Sequence, residues 1–184
     1  MNDSIKTNIA LIGFMGTGKT AVGQLLADKL DRKFIELDWL IEEQAGKSIP
    51  EIFRGDGEIA FRELEIQAAK QVAGEKYCVI ACGGGIVLNK INIDRLKESG
   101  VTVYLTASPA VILKRTSLAE GARPLLDVDN PARTIAELIK YRRPYYEHAA
   151  DITINTSKLD IDTVAERIIE KLKEDESFDL QKRN

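Results

Sequence analysis

The sequence predicts an α/β domain in which a parallel β-sheet is covered by helices on both faces. Two observations support this prediction. A short apolar strand, a glycine-rich loop and a helix follow one another within residues 8–30. Downstream, apolar stretches with the length of strands alternate with stretches of helical periodicity as far as residue 173. The 184 residues suit one domain with small inserted subdomains.

The glycine-rich loop, residues 13–20, reads GFMGTGKT and fits the pattern G-x-x-x-x-G-K-[ST]. Backbone N–H groups of such a loop point at phosphate oxygens, and the helix that follows adds its positive dipole end. Lys19 supplies a cation for the β- and γ-phosphates of a nucleoside triphosphate, and the Thr20 hydroxyl can ligate Mg²⁺. A chance match in a turn is the alternative, and the flanking strand and helix argue against it. The predicted nucleotide-binding residues of the loop are Gly13, Gly16, Thr17, Gly18, Lys19, Thr20 and Ala21.

The remaining elements follow from periodicity and from helix-breaking residues. We expect strands at residues 33–37, 78–82, 101–105 and 151–155. We expect helices at residues 39–45, from residue 48 to a break at residues 55–57, and at residues 58–73, 109–115, 131–141 and 160–173. Residues 117–130 lack a clean period and predict a mobile loop. The polar residues 174–184 predict a frayed, flexible tail.

Composition excludes several classes of protein. The net charge is −3, which gives no case for nucleic-acid binding. No apolar run approaches the roughly 20 residues of a membrane span, and the first residues lack the apolar core of a signal peptide. The two cysteines, Cys78 and Cys82, share a face of a predicted strand and are expected to be small buried residues; the only histidine, His148, gives no metal-ligand cluster. We expect a cytoplasmic monomer that binds neither nucleic acid nor membranes.

A GTPase would need a guanine-reading motif of the form Asn-Lys-x-Asp. Residues 89–92 begin like one but have Asn where the acid should be. Residues 157–160, Ser-Lys-Leu-Asp, are a looser match and lie too near the C-terminus for the rest of a guanine pocket. The sequence therefore favours ATP over GTP.

Further motifs recur in a fixed order along the chain. They are ELD at residues 36–38, DGE leading to FR at 56–62, GGG at 83–85, RPLL at 123–126 and RRPYY at 142–146. With the loop at 13–20, their order and spacing resemble the shikimate kinase family, over about residues 8–173. The resemblance implies a single domain with the P-loop kinase fold, a five-stranded parallel sheet flanked by helices. It also implies a substrate-binding subdomain at residues 38–66 and a lid at residues 117–130.

The implied reaction is the phosphorylation of shikimate by ATP, giving ADP and shikimate 3-phosphate in aromatic amino-acid biosynthesis. ATP and shikimate are then the expected binding partners, and Mg²⁺ is the expected cofactor. Two alternatives stay open from the residues alone. A gluconate or nucleotide kinase would share the nucleotide loop but not the glycine triplet with Arg62 and the RPLL motif. A non-catalytic ATP-binding regulator should have lost Lys19, Asp38 or Arg123, and none is lost.

Shikimate is a carboxylate with three hydroxyl groups, which explains several of these residue types. A planar carboxylate is best held by guanidinium forks, and Arg62 and Arg142 are the candidates; each could instead form a surface ion pair. Arg142 stands two residues before a proline, where the helix is expected to end soon. The backbone of a glycine triplet can approach the ring and offer N–H donors, or it can form only a flexible turn. The predicted substrate-binding residues are Asp38, Arg62, Gly83, Gly84, Gly85 and Arg142.

Asp38 lies just past the second predicted strand, where ligands of open α/β sheets bind. It could accept the hydroxyl groups and take the proton from the attacking oxygen, or it could only cap a helix. Glu36 stands where many relatives have an Asp that contributes to Mg²⁺ through water. Glu is one methylene longer, so a metal role through water and a plain strand-end carboxylate both stay open. Glu65, one turn after Arg62, either holds that guanidinium or is a surface charge.

The resemblance implies that Arg123 is a lid arginine that moves over the transferring phosphate, where it would neutralise charge. It also implies that Arg115 packs on the adenine base, although a cation at the C-terminal end of a helix is nearly as good an interpretation. Trp39 is expected in the pocket wall or the core. The predicted catalytic residues are Lys19, Asp38 and Arg123, and the predicted metal ligand is Thr20.

Overall fold

The computed structural model describes residues 5–118 and 129–180 of the chain. Within these residues, one sheet contains the strands β1 (Asn8–Ile12), β2 (Lys33–Glu36), β3 (Cys78–Ala81), β4 (Gly100–Thr106) and β5 (Ile152–Asn155). The strand order is β2-β3-β1-β4-β5, and each neighbouring pair is parallel. The predicted five-stranded parallel sheet is confirmed.

Helices connect the strands and cover both faces of the sheet. They are α1 (Lys19–Leu30), α2 (Leu37–Ala45), α3 (Ile49–Gly55), α4 (Gly57–Ala73), α5 (Lys90–Ser99), α6 (Pro109–Leu118), α7 (Pro131–Ala149) and α8 (Ile161–Lys173), with a short 3₁₀ helix at Ile86–Leu88. The sequence signals for helix starts hold where they are strongest. Ser48 and Glu51 form a capping box at α3, and the Asp160 side chain caps α8.

The path of the chain across the sheet creates a crevice between β1 and β3. From β1 the chain runs to β2 at one edge, and from β3 it crosses over β1 to reach β4. The connections after β1 and β3 therefore run in opposite directions, on opposite faces of the sheet, and ligands of open α/β sheets bind at the carboxyl ends of the strands at such a point. The glycine-rich loop follows β1 and the glycine triplet follows β3. The topology thus opens both predicted loops onto one crevice.

Alternating residues of the central strands supply two separate apolar cores. In β1, Ala10 and Ile12 belong to a core shared with α4, α5 and α7, whereas Ile9 and Leu11 belong to a core shared with α1 and α8. Burying a large aliphatic side chain contributes about 1.5–3 kcal/mol, so these two cores fix the sheet and its helices. Both cysteines are buried, as predicted, and they form no disulfide in the described structure.

Residues 90–99, for which the sequence predicts no helix or strand, form α5. Its apolar signal is weak because Ile93 and Leu96 are buried but Ile91 is exposed. The Asn89 side chain accepts a hydrogen bond from the backbone N–H of Ile91 and caps this helix. The Asn-Lys dipeptide that resembles a guanine motif is therefore the start of a helix.

Two helices, α6 and α7, extend beyond their predicted C-terminal ends. Helix α6 continues three residues beyond residue 115, and α7 continues through Pro144 to Ala149. A proline inside a helix costs about 3 kcal/mol. In α7, the last turns bury Ala149 and the whole ring of Tyr146, which stacks on Tyr104 with 5.0 Å between ring centroids. This burial keeps the helix intact beyond the proline.

The prediction of a frayed tail is wrong for residues 174–180. Phe178 is only 7% exposed, and its backbone pairs with that of Lys6 in a parallel bridge. The Arg32 guanidinium lies over the Phe178 ring, 4.8 Å from its centroid, and donates to the Asp179 carbonyl oxygen. The buried Phe178 ring and the Arg32 guanidinium therefore hold this segment against the rest of the domain. Residues 181–184 lie outside the described residues.

The region predicted as a substrate-binding subdomain, residues 38–66, contains most of α2, all of α3 and the first half of α4. These helices pack on one another, with Phe53 and Phe61 in contact at 4.8 Å between ring centroids. Of the predicted lid at 117–130, residues 119–128 lie outside the described part, and Arg123 is among them. In the described ranges, no helix is long and apolar enough to cross a membrane.

Candidate active site

The glycine-rich loop leads directly into α1. Gly18 is the N-cap of this helix and has a φ angle of 98°, a conformation that favours glycine. The Lys19 ammonium donates to the carbonyl oxygens of Gly13 and Phe14, at 2.9 and 3.0 Å. The Thr17 hydroxyl is buried and donates to the Phe14 carbonyl oxygen at 2.8 Å, so this side chain stabilises the loop. The hydroxyl proton of Thr17 is therefore engaged within the loop and does not point at a phosphate.

Thr20 and Glu36 meet at the edge of the loop. The Thr20 hydroxyl donates to Glu36 Oε2 at 2.7 Å. Burial raises the pKa of Glu36, and the hydrogen bond from Thr20 opposes this rise. A hydroxyl whose proton is engaged in this way still has lone pairs for a metal ion. The longer side chain of Glu36 therefore reaches the predicted metal ligand directly.

Asp38 lies in the first turn of α2 and is not the N-cap that the sequence left open. Glu36 is the N-cap, and no side chain makes a capping hydrogen bond there. Burial raises the pKa of Asp38, while the nearby Lys19 and Arg62 lower it. A half-buried carboxylate with a raised pKa beside a phosphate-binding lysine is suited to accept a proton.

A cavity of about 440 Å³ connects the loop to Asp38. Its lining residues come from the carboxyl ends of β1, β2 and β3, from the loops that follow β1 and β3, and from the first turns of α1 and α2; they are Met15, Gly16, Gly18, Lys19, Thr20, Ala21, Glu36, Asp38, Trp39, Cys82, Gly83 and Gly84. Trp39 is 59% exposed and lies in the cavity wall, as predicted. Burial raises the pKa of the Cys82 thiol, which is therefore neutral and not a nucleophile at neutral pH.

The glycine triplet lets two functional side chains come close to the backbone. A Cβ atom at Gly83 would lie 2.8 Å from Asp38 Oδ1, and one at Gly85 would lie 2.6 Å from Arg62 Nη1. Any larger residue at these positions would displace Asp38 or Arg62. The triplet is therefore more than a flexible turn, because its lack of side chains creates the space for both groups.

Arg62 is held by two carboxylates of its own helix. Its Nη1 lies 3.1 Å from Glu65 Oε2, and its Nη2 lies 3.2 Å from Glu58 Oε1. Glu65 is 1% exposed, and burial raises its pKa against the opposing effect of Arg62. The predicted partnership of Glu65 and Arg62 is confirmed as a contact. The sequence interpretation missed Glu58, although its spacing of four residues from Arg62 is the usual signal for a helical ion pair.

Arg142 is buried but has a different environment. It is 8% exposed, its Nη1 lies 3.5 Å from the Gly84 carbonyl oxygen, and its Nε has no hydrogen-bond partner in the described structure. The guanidinium lies over the Phe14 ring at 5.8 Å from the centroid. It also acts electrostatically on the buried Glu65 carboxylate. The second predicted carboxylate-binding arginine thus lies behind the glycine triplet.

Arg115 lies at the nucleotide end of the crevice. Its guanidinium donates to the Gly16 carbonyl oxygen at 3.2 Å and to the Thr156 hydroxyl and carbonyl at 3.0 and 2.9 Å. These bonds place it beside the phosphate-binding loop, in the last turn of α6. They fit either sequence interpretation, a surface for the adenine base or a helix-terminal cation.

The fold and this cavity define a class of protein. A phosphate-binding loop and a polar pocket share one crevice at the switch point of a parallel sheet, as in P-loop kinases that phosphorylate small molecules. The shikimate kinase family model matches residues 15–173, and the chain belongs to the shikimate kinase family. This membership gives no support to the alternatives of a gluconate or nucleotide kinase or a non-catalytic regulator.

Individual relatives agree with the family match. The shikimate kinase of Thermodesulfovibrio yellowstonii is 48% identical over 164 residues, which cover 89% of this chain and 94% of the relative. That of Caldanaerobacter subterraneus subsp. tengcongensis is 48% identical over 162 residues, which cover 88% and 94%. The solved structure of shikimate kinase from Acinetobacter baumannii in complex with shikimate is 37% identical, with a TM-score of 0.88; the match covers 93% of this chain and 95% of that one.

Proposed function

We propose that this chain transfers the γ-phosphoryl group of ATP to a hydroxyl group of shikimate, giving ADP and shikimate 3-phosphate. Membership of the shikimate kinase family supports the reaction. The observation that carries the choice of an anionic substrate is Arg142, a buried guanidinium with an unpartnered Nε and no ion pair among the described residues.

The physical argument compares the two arginines of the site. Removing an ion from water costs several kcal/mol unless a partner compensates it. Arg62 has two carboxylate partners, so much of its charge is already compensated. Arg142 contacts only neutral groups, namely the Gly84 carbonyl, the Tyr146 hydroxyl and the Phe14 ring, and it feels the charge of Glu65 without an ion pair among the described residues. A bound carboxylate would supply the missing partner, and Arg142 is therefore the main anchor for the substrate carboxylate.

Asp38 is the proposed base. The attacking hydroxyl oxygen forms a bond to the γ-phosphorus while the bond from that phosphorus to the β–γ bridging oxygen breaks. The hydroxyl proton passes to Asp38, whose pKa is raised by burial. Lys19 now donates to the Gly13 and Phe14 carbonyls and would exchange these bonds for phosphate oxygens. Its charge then stabilises the phosphoryl oxygens during transfer.

The described residues fit a Mg²⁺ ion that is bound together with the nucleotide. The oxygen groups of Thr20 and Glu36 are the kind that Mg²⁺ prefers. Within the described ranges, no group of three or more His, Cys, Asp and Glu side chains could hold a metal ion by itself. This agrees with a magnesium ion that phosphate and water oxygens largely coordinate. Thr20 would be its protein ligand, Glu36 would orient Thr20, and the ion would neutralise phosphate charge.

Several residue roles rest on the family resemblance. Arg123 lies outside the described residues, and its role over the transferring phosphate stays a prediction, as does the closing of a lid at 117–130. The stacking of Arg115 on adenine also stays a prediction. We infer a monomer because residues of one chain form the whole cavity. We infer a cytoplasmic location because ATP is available there and because neither cysteine forms a disulfide in the described structure. Light scattering on the purified chain tests the monomer.

A coupled assay of ADP release tests the reaction. Purified protein with Mg²⁺ and ATP should turn over shikimate, and mass spectrometry with NMR should identify shikimate 3-phosphate. Quinate and gluconate serve as comparison substrates, because both carry the carboxylate but differ in the ring and its hydroxyl groups. Turnover of gluconate or a nucleotide without turnover of shikimate would refute the proposal.

A further inference from the structure

Tyr146 touches both the glycine triplet and Arg142. Its ring is 1% exposed, and its hydroxyl donates a hydrogen bond to the Gly84 carbonyl oxygen. The Arg142 guanidinium approaches the same oxygen and also interacts with the Tyr146 hydroxyl. Arg142 and Tyr146 are four residues apart on α7 and therefore lie on the same face of the helix. One carbonyl group thus joins the triplet to both side chains.

We propose that Tyr146 is a positioning residue for the carboxylate clamp, which holds the Gly84 carbonyl and so fixes the direction of the Arg142 guanidinium. This inference rests on the proposed function, in which Arg142 binds the substrate carboxylate. Tyr146 itself does not contact the substrate.

Apart from the Tyr146 hydroxyl, the direct contacts of Arg142 orient it poorly. The distance of 3.5 Å from Nη1 to the Gly84 carbonyl oxygen is at the long limit of a hydrogen bond. The cation–π contact with Phe14, at 5.8 Å, does not fix the rotation of the guanidinium plane. A bidentate bond to a carboxylate needs the plane and the edge of the guanidinium in one direction. The orientation of Arg142 must therefore come from groups behind it.

Tyr146 has the rigidity that this role requires. Its ring stacks on Tyr104 with an interplanar angle of 14°. Burial raises the pKa of its hydroxyl, which therefore stays protonated and keeps donating at neutral pH. The carbonyl oxygens of Gly83 and Gly85 accept backbone N–H groups at the start of the 3₁₀ helix, whereas that of Gly84 accepts side-chain donors. The middle residue of the triplet is thus fastened from the side of α7.

The variant Tyr146→Phe removes only the hydroxyl and keeps the stacked ring. Shikimate affinity should fall and the KM for shikimate should rise by about fivefold to tenfold, which is the scale of one hydrogen bond. The KM for ATP should change less than about twofold. Tyr145→Phe is the matched control, because Tyr145 is 42% exposed and pairs with Tyr141 instead of the triplet. This control should leave both constants unchanged. A lower melting temperature of Tyr146→Phe with an unchanged shikimate KM would indicate a purely structural role and overturn the inference.

A double-mutant cycle with Arg142→Lys tests whether Tyr146 acts through the guanidinium. In the Arg142→Lys background, Tyr146→Phe should cost less than about twofold in shikimate affinity. Independent, additive losses would overturn the inference. If Arg142→Lys alone leaves shikimate affinity unchanged, the carboxylate clamp of the proposed function fails. If Arg142→Lys weakens binding and Tyr146→Phe does not, only the positioning role fails. For a destabilised variant, the shikimate-induced rise in melting temperature gives the affinity.

Discussion

Replacing Asp38 by Asn separates the catalytic interpretation of this residue from a structural one. Asn keeps the size of the side chain and one carbonyl oxygen, but it cannot take a proton. In the first turn of α2 it loses a favourable interaction of negative charge with the helix dipole, worth about 0.3–1 kcal/mol. It also removes the cost of a half-buried carboxylate, and the raised pKa of Asp38 means that this cost is the larger effect.

The direction of the stability change follows from the pKa. The pKa of Asp38 in the unfolded chain is about 3.9. Burial raises the pKa in the folded protein. Below the pKa of the unfolded chain, Asp38 is protonated in both the folded and the unfolded state, so no buried charge destabilises the folded protein. As the pH rises through the folded pKa, this advantage is lost and the wild type becomes less stable. The variant does not titrate at this position. Its gain in melting temperature over the wild type should therefore be larger at pH 7 than at pH 4.

The substitution that stabilises the fold should strongly reduce catalysis. A positioned general base contributes about 10²–10⁴-fold, or roughly 3–5 kcal/mol of activation free energy. We therefore expect kcat of Asp38→Asn to fall by at least about 10²-fold. The measurements are ADP release under saturating substrates and thermal melting at both pH values.

Asp94→Asn is a matched control, because Asp94 is an exposed carboxylate that pairs with Lys90 on α5. It should leave kcat unchanged and should not raise the melting temperature at pH 7. Near-normal turnover by Asp38→Asn would refute the role of base. A stability loss at pH 7 with normal turnover would restore a structural role for the carboxylate.

Three further predictions concern the metal site and stability. Glu36→Gln should raise the Mg²⁺ concentration for half-maximal turnover by about tenfold, because Glu36 holds the Thr20 hydroxyl; an unchanged Mg²⁺ response would exclude Glu36 from the metal site. Phe178→Ala should lower the free energy of unfolding by about 3 kcal/mol in urea titrations, with kcat unchanged, because it removes the ring beneath Arg32; a loss near zero would restore the frayed tail. Asn92→Leu should raise the free energy of unfolding by about 1 kcal/mol, because both polar atoms of the Asn92 side chain are buried without a hydrogen-bond partner in the described part. A decrease in the free energy of unfolding would mean that a buried water satisfies this amide.

The sequence predicts the fold well where the signal is local. A strand, a loop with fixed glycine positions and a helix must occur within residues 8–30, and the structure has them there. The sequence does not predict helix α5 because its buried face has only two large apolar residues, Ile93 and Leu96. The third buried residue of this face, Asn92, is polar and hides the periodicity. Helix α7 was cut short because the cost of Pro144 is visible in the sequence, whereas the burial of Tyr146 against Tyr104 is not.

Long-range contacts explain the remaining errors. Residues 174–180 look like a tail because only Phe178 and Leu180 are apolar among otherwise polar residues. Its partner Arg32 is far away in the sequence, and a pattern analysis pairs residues only over short spacings. In the site, the ion pair of Arg62 with Glu65 was predictable from helical spacing. The unpaired state of Arg142 was not, because it depends on which elements surround α7 in space.

The site keeps its charges at a cost to the folded protein, and this cost is informative about function. Burial raises the pKa of three carboxylates around the crevice, Glu36, Asp38 and Glu65. A protein under selection for stability alone would replace such groups or pair each of them fully. Here the pairing is unequal, because Arg62 has two carboxylates and the buried Arg142 has none in direct contact among the described residues. Arg62 is therefore suited to a fixed orientation, whereas Arg142 gains most from an incoming anion, and in the proposed function this difference would give the two arginines separate tasks at the substrate carboxylate.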